Sequence, residues 1–129
     1  MKEYSKVNVL GTEYTIYKDT SEIDKPFMSG ADGLTDFTTK EIFIATLDDG
    51  NPDNMQAMEH YEKRTIRHEI IHATLFESGL DHNSKWGRDE EIVDWIAIQF
   101  PKLLDVFKSL DIETFCTPTP KKGPPLLWH

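Results

Sequence analysis

The residues with the clearest chemical signal are His68 and His72, separated by Glu69 and two isoleucines in the run HEIIH. Within a helix, residues four positions apart lie about 40° from each other and one turn along the axis, so both imidazoles can reach one ion. Glu69 falls on the flank of that face, where it could take a proton from a water activated by the ion. The pattern predicts a zinc centre with Glu69 as general base. The alternative is a helix with two incidental histidines.

A catalytic zinc usually has three protein ligands and one open position, so another donor is required. Glu90 is the predicted third ligand, because it begins the next helix and a short loop would bring it alongside the histidines. Asp94 lies one turn later, placed to accept a hydrogen bond from a ligating imidazole. Two alternatives stay open. Glu91 competes with Glu90, and His82 could be a ligand or could stabilise the oxyanion formed during hydrolysis.

Composition narrows the class of protein. The net charge of -9 over 129 residues argues against a nucleic-acid or anionic-membrane partner, because a phosphate-binding basic surface is missing. The single cysteine, Cys116, excludes an internal disulfide framework and favours a reducing compartment. We see neither a signal peptide nor an apolar run of membrane-spanning length. These features predict a soluble, cytoplasmic protein, and they leave its oligomeric state open. If the predicted zinc centre is catalytic, its partner would be a peptide or protein substrate.

The first half of the chain reads mainly as strands. Alternating apolar and polar residues over 7–17 predict a β-hairpin that turns near Gly11. The β-branched and aromatic run at 39–46 predicts a third strand. Between them, 19–35 contains proline and glycine among polar residues and is predicted to be a long loop. Residues 48–52 predict a turn that leads into a helix.

The second half reads as helices. Residues 53–78 predict a helix that carries HEIIH and stops at Gly79. It is apolar on two sides, so we expect it between the sheet and the next helix. Residues 80–87 are predicted to be a connecting loop, and Asp89 to cap a helix at 90–110 that Pro101 kinks or splits. The arc of that helix expected to pack inward contains Ile92, Val93, Ile96, Ala97, Phe100, Leu103, Leu104 and Phe107.

These elements predict an α+β fold. A small antiparallel or mixed three-stranded sheet would pack on the HEIIH helix and on the following helix that bears Glu90. We predict one domain at 1–116 and a proline-rich tail at 117–129, either extended or laid over the domain by its last apolar residues, Leu126, Leu127 and Trp128.

The HEIIH run followed by Asp89-Glu90 and Asp94 resembles the gluzincin class of zinc metallopeptidases. In thermolysin-type members, a glutamate on the next helix is the third ligand and an aspartate one turn later supports a ligand, and these positions fall on Glu90 and Asp94. The small size and element order resemble the ImmA/IrrE group. Residues 64–102 look similar to small HExxH proteins encoded by phages and prophages of Gram-positive bacteria. The chain lacks the Glu-Ala-Asn run of the ImmA/IrrE group and its appended helix-turn-helix domain.

The resemblance implies a zincin-like domain that acts as a zinc metalloendopeptidase in the cytoplasm of a bacterial host cell. His68, His72 and Glu90 would hold Zn²⁺, and Glu69 would act as general base. By analogy of fold, the strand at 39–46 would be a sheet edge that an extended substrate joins as another strand. One alternative is a non-catalytic phage protein, stabilised by zinc, that serves as an interaction module. Another is a SprT-like enzyme, which would take a later histidine, His82, as ligand.

Overall fold

The computed structural model describes residues 1–47 and 55–114, with only the backbone at 55–57. The contacts within the chain divide it into two units, Met1–Gln99 and Phe100–His129. The predicted turn at 48–52, the helix start at 53, Cys116 and the predicted tail at 117–129 lie outside the described residues.

Four strands form one mixed sheet. Strands β1 (Lys2–Val9) and β2 (Thr12–Thr20) are the predicted hairpin, and the turn residues Leu10 and Gly11 have φ values of 51° and 94°, as a tight type I′ connection requires. Strands β3 (Gly33–Asp36) and β4 (Glu41–Ala45) follow. The order is β1-β2-β4-β3, with β2 and β4 parallel and the other neighbours antiparallel.

Two sequence-based predictions about the sheet are wrong. The α+β class is confirmed, but the sheet has four strands instead of three, because β3 begins inside the predicted loop at 19–35. A four-residue strand that begins with glycine and ends with aspartate has weak intrinsic β propensity. The run at 39–46 is not a sheet edge, since β4 pairs with β2 on one side and β3 on the other. The edge strands are β1 and β3, and β3 is the one beside α1.

Three helices follow the sheet. Helix α1 spans Met55–Glu77, and Gly79 ends it in the left-handed conformation (φ 86°), as predicted. The predicted loop at 80–87 instead contains a one-turn helix, α2 (Leu80–Asn83), and enters a short 3₁₀ helix, Trp86–Arg88. A hydrogen bond between nearby residues stabilises this turn over an open loop, because the side chain of Asn83 donates to the carbonyl of Gly79 at 2.7 Å.

Helix α3 spans Glu90–Ser109 and is not split at Pro101. The Oδ1 atom of Asp89 accepts hydrogen bonds from the backbone N–H groups of Glu91 and Ile92 at 2.9 and 3.2 Å, which confirms the predicted cap. Only part of the predicted apolar arc is buried: Val93 and Ala97 are inaccessible, while Phe100, Leu103 and Phe107 are 46%, 41% and 36% exposed. Periodicity marks an apolar face, but it does not say what covers that face.

Helix α1 packs against the sheet, as predicted. Ile66, Ile70 and Ala73 meet a buried cluster of Val9, Tyr14, Ile16, Ile42 and Ile44 from the strands. Phe43, on the opposite face of β4, is also inaccessible to solvent, and it stacks on Tyr17 of β2 with 5.5 Å between ring centroids. On its other side α1 contacts the first half of α3, where the Nε of Arg67 donates to the carbonyl of Ala97 at 2.7 Å. Helix α1 therefore lies between two layers.

Glu77 anchors the last turn of α1 to the sheet. Its carboxylate accepts hydrogen bonds from Tyr14 Oη at 2.8 Å, Lys40 Nζ at 2.7 Å and Thr12 Oγ1 at 3.3 Å. These bonds, led by the one from Lys40, lower the pKa of Glu77 below its usual value. Because α1 is held at this end, the histidines in its second half keep a defined position relative to the strands.

Candidate metal centre

His68, His72 and Glu90 bring one possible ligand atom each to within 4.8 Å of one another. Nε2 of His68 lies 2.9 Å from Oε2 of Glu90, Nε2 of His72 lies 3.0 Å from Oε1 of Glu90, and the two Nε2 atoms are 3.1 Å apart. Among the residues that the structure describes, this is the only group of three His, Cys, Asp or Glu side chains that could hold a metal ion. The structure thus brings together the three residues predicted as ligands.

The donor set fits zinc. Ligand bonds of about 2.0–2.1 Å in a tetrahedron separate the donor atoms by about 3.3 Å. The two Nε2 atoms are 3.1 Å apart, close to that value. Each imidazole faces a different oxygen of the Glu90 carboxylate, so the three side chains would have to shift to share one ion. Two imidazoles and one carboxylate form the His₂Glu set of catalytic zinc sites, which leaves a fourth position for water or substrate.

Asp94 contacts Nδ1 of His68, the ring nitrogen that does not face Glu90. Its Oδ1 lies 3.3 Å from Nδ1 of His68, and its Oδ2 accepts a 2.5 Å bond from Nη2 of Arg64. The Arg64 bond is the main reason that the pKa of Asp94 is lowered, so its carboxylate is ionised and can only accept hydrogen bonds. The contact with Asp94 favours a proton on Nδ1, whereas the Glu90 carboxylate 2.9 Å from Nε2 favours a proton there. A metal bound at Nε2 would select the tautomer that Asp94 favours.

The two histidines are shielded, while Glu90 is open to solvent. Their side chains are 17% and 13% exposed, against 71% for Glu90. Burial is the largest influence on His72 and lowers its pKa, although the nearby Glu90 carboxylate acts in the opposite direction. A neutral imidazole is the form that binds a metal, so this environment favours ligation.

Glu69 lies beside the cluster and is almost fully buried, with 6% of its surface exposed. Its Oε1 accepts a 2.9 Å hydrogen bond from the hydroxyl of Thr35, which belongs to the edge strand β3. Burial raises the pKa of Glu69, and the bond from Thr35 partly offsets that increase. A carboxylate with a raised pKa is a better proton acceptor, which suits a general base.

The cluster opens into a cleft of about 700 Å³. Strand β3 and the residues just before it form one wall, and α1 with the first turn of α3 forms the other. His68, His72, Glu69 and Glu90 all line this space. At its rim the hydroxyl of Tyr61 is hydrogen-bonded to the carboxylate of Asp32. The donor atoms and the candidate base thus face the same solvent-accessible volume.

A compact connection between α1 and α3 brings Glu90 back to the histidines. A Cβ atom on Gly87 would lie 2.5 Å from the backbone oxygen of Leu80, so only glycine allows these two segments to pack so closely. The Nε of Arg88 also donates to the carbonyl of Asp81 at 2.6 Å. The two ends of the connection therefore contact each other, and α3 begins close to the histidines of HEIIH.

Glu91 and His82, left open as alternative ligands, are not part of the cluster. Glu91 is exposed, and its described hydrogen bond is the one that its backbone donates to the cap residue Asp89. The ring of His82 packs edge-on against Phe76, with 4.7 Å between centroids. Of the two adjacent glutamates, the structure places Glu90, the predicted ligand, beside the two histidines.

Sequence reasoning missed three residues near the site: Gly33, Thr35 and Arg64. Arg64 precedes His68 by one helical turn, so i,i+4 spacing could have linked it to the metal face. Gly33 and Thr35 lie in the segment taken for a loop, more than thirty residues before Glu69. No local pattern relates them to HEIIH.

Comparison of the chain with protein-family models, curated proteins and solved structures gives no match. Within the described residues, no helix is long and apolar enough to cross a membrane.

Proposed function

We propose that this protein is a zinc-dependent peptidase of the gluzincin type, similar to the ImmA/IrrE group and to small phage-encoded HExxH proteins. The observation that carries the proposal is the close grouping of His68, His72 and Glu90, with Glu69 lining the same cleft. A zinc that merely clamps two helices needs neither an open cleft nor a buried carboxylate beside the ligands. The cleft therefore favours catalysis over a purely structural role.

Each side chain has a defined task in this proposal. Zinc, when bound, supplies Lewis acidity that activates a water and polarises the carbonyl of the substrate. The carboxylate of Glu69 accepts a proton from the attacking water and later returns it to the leaving amine. Asp94 keeps His68 in the tautomer that can ligate, and Arg64 keeps Asp94 ionised.

The edge strand β3 is the proposed binding surface for the substrate backbone, in place of β4. The carbonyl of Asp32 accepts a hydrogen bond from the N–H of Ala45 in β4 at 2.9 Å. Because backbone groups alternate in direction along a strand, those of Gly33 and Thr35 point to the outer edge, beside Glu69. An extended peptide that pairs with these groups would lie along the cleft with a peptide bond near the donor atoms.

The first test is metal binding, measured by competition with a zinc chelator on the purified full chain. We expect His72→Ala and Glu90→Gln each to lower zinc affinity by more than about 100-fold. The matched controls are His60→Ala, on the same helix, and Glu91→Gln, on the same turn of α3. An equal loss of affinity in Glu91→Gln, or no loss in Glu90→Gln, would reject the assigned ligand set.

The second test is cleavage of a peptide library by the zinc-loaded protein, followed by mass spectrometry. Glu69→Gln should lower turnover by about 100-fold or more while zinc affinity stays within about threefold, because Glu69 is placed as the base and not as a ligand. Wild-type protein that binds zinc but cleaves nothing, with an unchanged melting temperature in Glu69→Gln, would support the structural clamp.

A further inference from the structure

The carboxylate of Glu69 is held from two sides by β3. Alternate residues of this strand, Gly33 and Thr35, face α1 at the position of Glu69. The hydroxyl of Thr35 contacts Oε1 at 2.9 Å, and a Cβ atom built on Gly33 would lie 3.1 Å from Oε2 and 2.9 Å from Cγ. The carboxylate of Glu69 therefore has a hydrogen-bond donor, the Thr35 hydroxyl, at Oε1, and the backbone of Gly33 packs close to Oε2.

The glycine is required for space and not for backbone freedom. Gly33 is absent from the residues with positive φ, so another residue type could adopt its conformation. The close approach to Glu69 and to Thr65, whose Cγ2 would be 3.0 Å from the added Cβ, is what excludes a side chain. Only glycine at position 33 allows β3 to approach the Glu69 carboxylate this closely.

The Thr35 hydroxyl has two acceptors within reach but only one proton. Besides Oε1 of Glu69, the backbone carbonyl of Glu69 lies 3.1 Å away. That carbonyl is inside α1, where the helix supplies a backbone donor. A carboxylate oxygen accepts more strongly than a peptide carbonyl that already has a partner, and this one is almost fully buried, so a donated hydrogen bond is worth more there. The geometry therefore favours the carboxylate as the main partner.

We propose that Thr35 is a positioning residue, whose hydroxyl fixes the Glu69 carboxylate in the orientation needed for proton transfer; this inference rests on the proposed function. With one oxygen tied to Thr35, the other is the oxygen that exchanges the proton. Without the hydroxyl, the carboxylate would rotate, and the fraction of molecules with correct geometry would fall. A simple strand-to-helix contact would instead involve only the backbone carbonyl.

A double-mutant cycle distinguishes these two roles without any need for activity. Thr35→Val, Glu69→Ala and the double variant are unfolded in urea as full-length protein, both with zinc and with a chelator. Every variant retains the backbone carbonyl of residue 69, so coupling reports on the side-chain contact. We expect the two changes to be non-additive by about threefold or more in the unfolding equilibrium constant. Coupling below threefold would overturn the proposal.

Thr74→Val is the matched control, since the hydroxyl of Thr74 donates to a helix carbonyl, that of Ile70, at 2.8 Å. It should show additive behaviour with Glu69→Ala.

The catalytic consequence is measured on a peptide that the wild-type protein cleaves. Thr35→Val should lower kcat by about tenfold or more with KM within about twofold, and Thr35→Ser should restore most of kcat. An unchanged kcat in Thr35→Val, or a loss confined to KM, would refute the positioning role. Absence of cleavage by the wild-type protein would refute the proposed function instead, and the cycle would still decide whether Thr35 holds the carboxylate.

Discussion

The carboxylate of Asp94 lies between Arg64 and His68 and contacts both. Its two oxygens face two different groups, Arg64 at 2.5 Å and Nδ1 of His68 at 3.3 Å, so one carboxylate both stays ionised and orients His68, a proposed zinc ligand. The Asp94 side chain is 38% exposed, which reduces the electrostatic strength of the pair with Arg64 but not its directionality. Its importance should therefore appear in metal affinity more than in stability.

Asp94→Asn is expected to lower zinc affinity by about 10–100-fold, because the amide is a weaker acceptor for the His68 proton. The measurement is competition with a chromophoric chelator at constant pH. Asp105→Asn removes the same charge from an exposed position of the same helix and should bind zinc like the wild-type protein. Equal affinity in both variants would show that Asp94 does not support the ligand.

Gly33→Ala tests how closely β3 approaches the candidate base. The added methyl group would meet Cγ of Glu69 at 2.9 Å, so the carboxylate must move. Overpacking of this kind costs about 1–3 kcal/mol, partly offset by a gain of up to about 1 kcal/mol from replacing glycine. We expect a loss of about 1–2 kcal/mol in urea unfolding and a reduced kcat with zinc affinity retained.

In a Glu69→Ala background, Gly33→Ala would no longer meet the Glu69 side chain, which supplies two of the three atoms nearest to the added methyl group. Its cost in stability should then be smaller. If Gly33→Ala lowers the free energy of unfolding as much in the Glu69→Ala background as in the wild-type protein, the clash lies with another residue, for instance Thr65.

Helix α1 is the element on which the site depends, and it is tied to the sheet by side chains at both ends of its described length. Lys18 of β2 pairs with Glu62 at 2.6 Å, and Glu77 receives three hydrogen bonds from the strands and the β3–β4 turn. These polar contacts add to the close apolar packing of Ile66, Ile70 and Ala73, and together they fix the position of the helix along its axis. The register of His68 and His72 against β3 follows from this.

Glu77→Ala should destabilise the protein by about 2 kcal/mol at pH 7, since it removes charge-assisted hydrogen bonds. The folded protein lowers the pKa of Glu77, so its contribution is complete above the unfolded-state pKa of about 4.3 and is lost as pH falls through the lower folded value. The difference between variant and wild type, measured by urea unfolding from pH 7 to pH 3, should therefore shrink below about pH 4.

Glu59→Ala is the control on the same helix. Glu59 pairs with Lys63 at 3.6 Å, and the two side chains are 70% and 61% exposed, so its loss should cost less than about 0.5 kcal/mol. A Glu77→Ala cost as small as this would show that the anchor contributes little.

At the scale of the whole molecule, the proposed zinc links α1 to α3. Such an ion binds only the folded chain, because the unfolded chain does not hold the three donors together. Zinc at 100 times its dissociation constant stabilises the folded state by about 2.7 kcal/mol. For a chain of this size we expect the melting temperature to rise by about 10 °C on zinc addition and to fall back with a chelator.

A protein of net charge -9 also attracts cations without a specific site, so a control is needed. The doubly substituted His68→Ala/His72→Ala protein has the same carboxylates but should show no zinc-dependent shift. His60→Ala should behave like the wild-type protein. An equal shift in all three would indicate non-specific binding.

The sequence by itself determined the features that depend on local geometry. Helical periodicity places His68 and His72 on one face, and glycine and aspartate chemistry marks the helix ends at Gly79 and Asp89. The short distance along the chain between HEIIH and Glu90 made this glutamate the favoured third donor, and the structure places it there. Covalent geometry acts over a few residues, so these relations can be read without the fold.

Only the tertiary structure decided what surrounds these donors. Thr35 is 34 residues from Glu69, and its hydrogen bond to that carboxylate exists because β3 joins the sheet edge against α1. Periodicity in the sequence predicts neither β3 nor its contact with α1. Contacts between distant segments depend on which surfaces remain to be covered once the rest of the chain has packed. For the same reason the sequence marked the apolar arc of α3 but could not say how much of it would be buried.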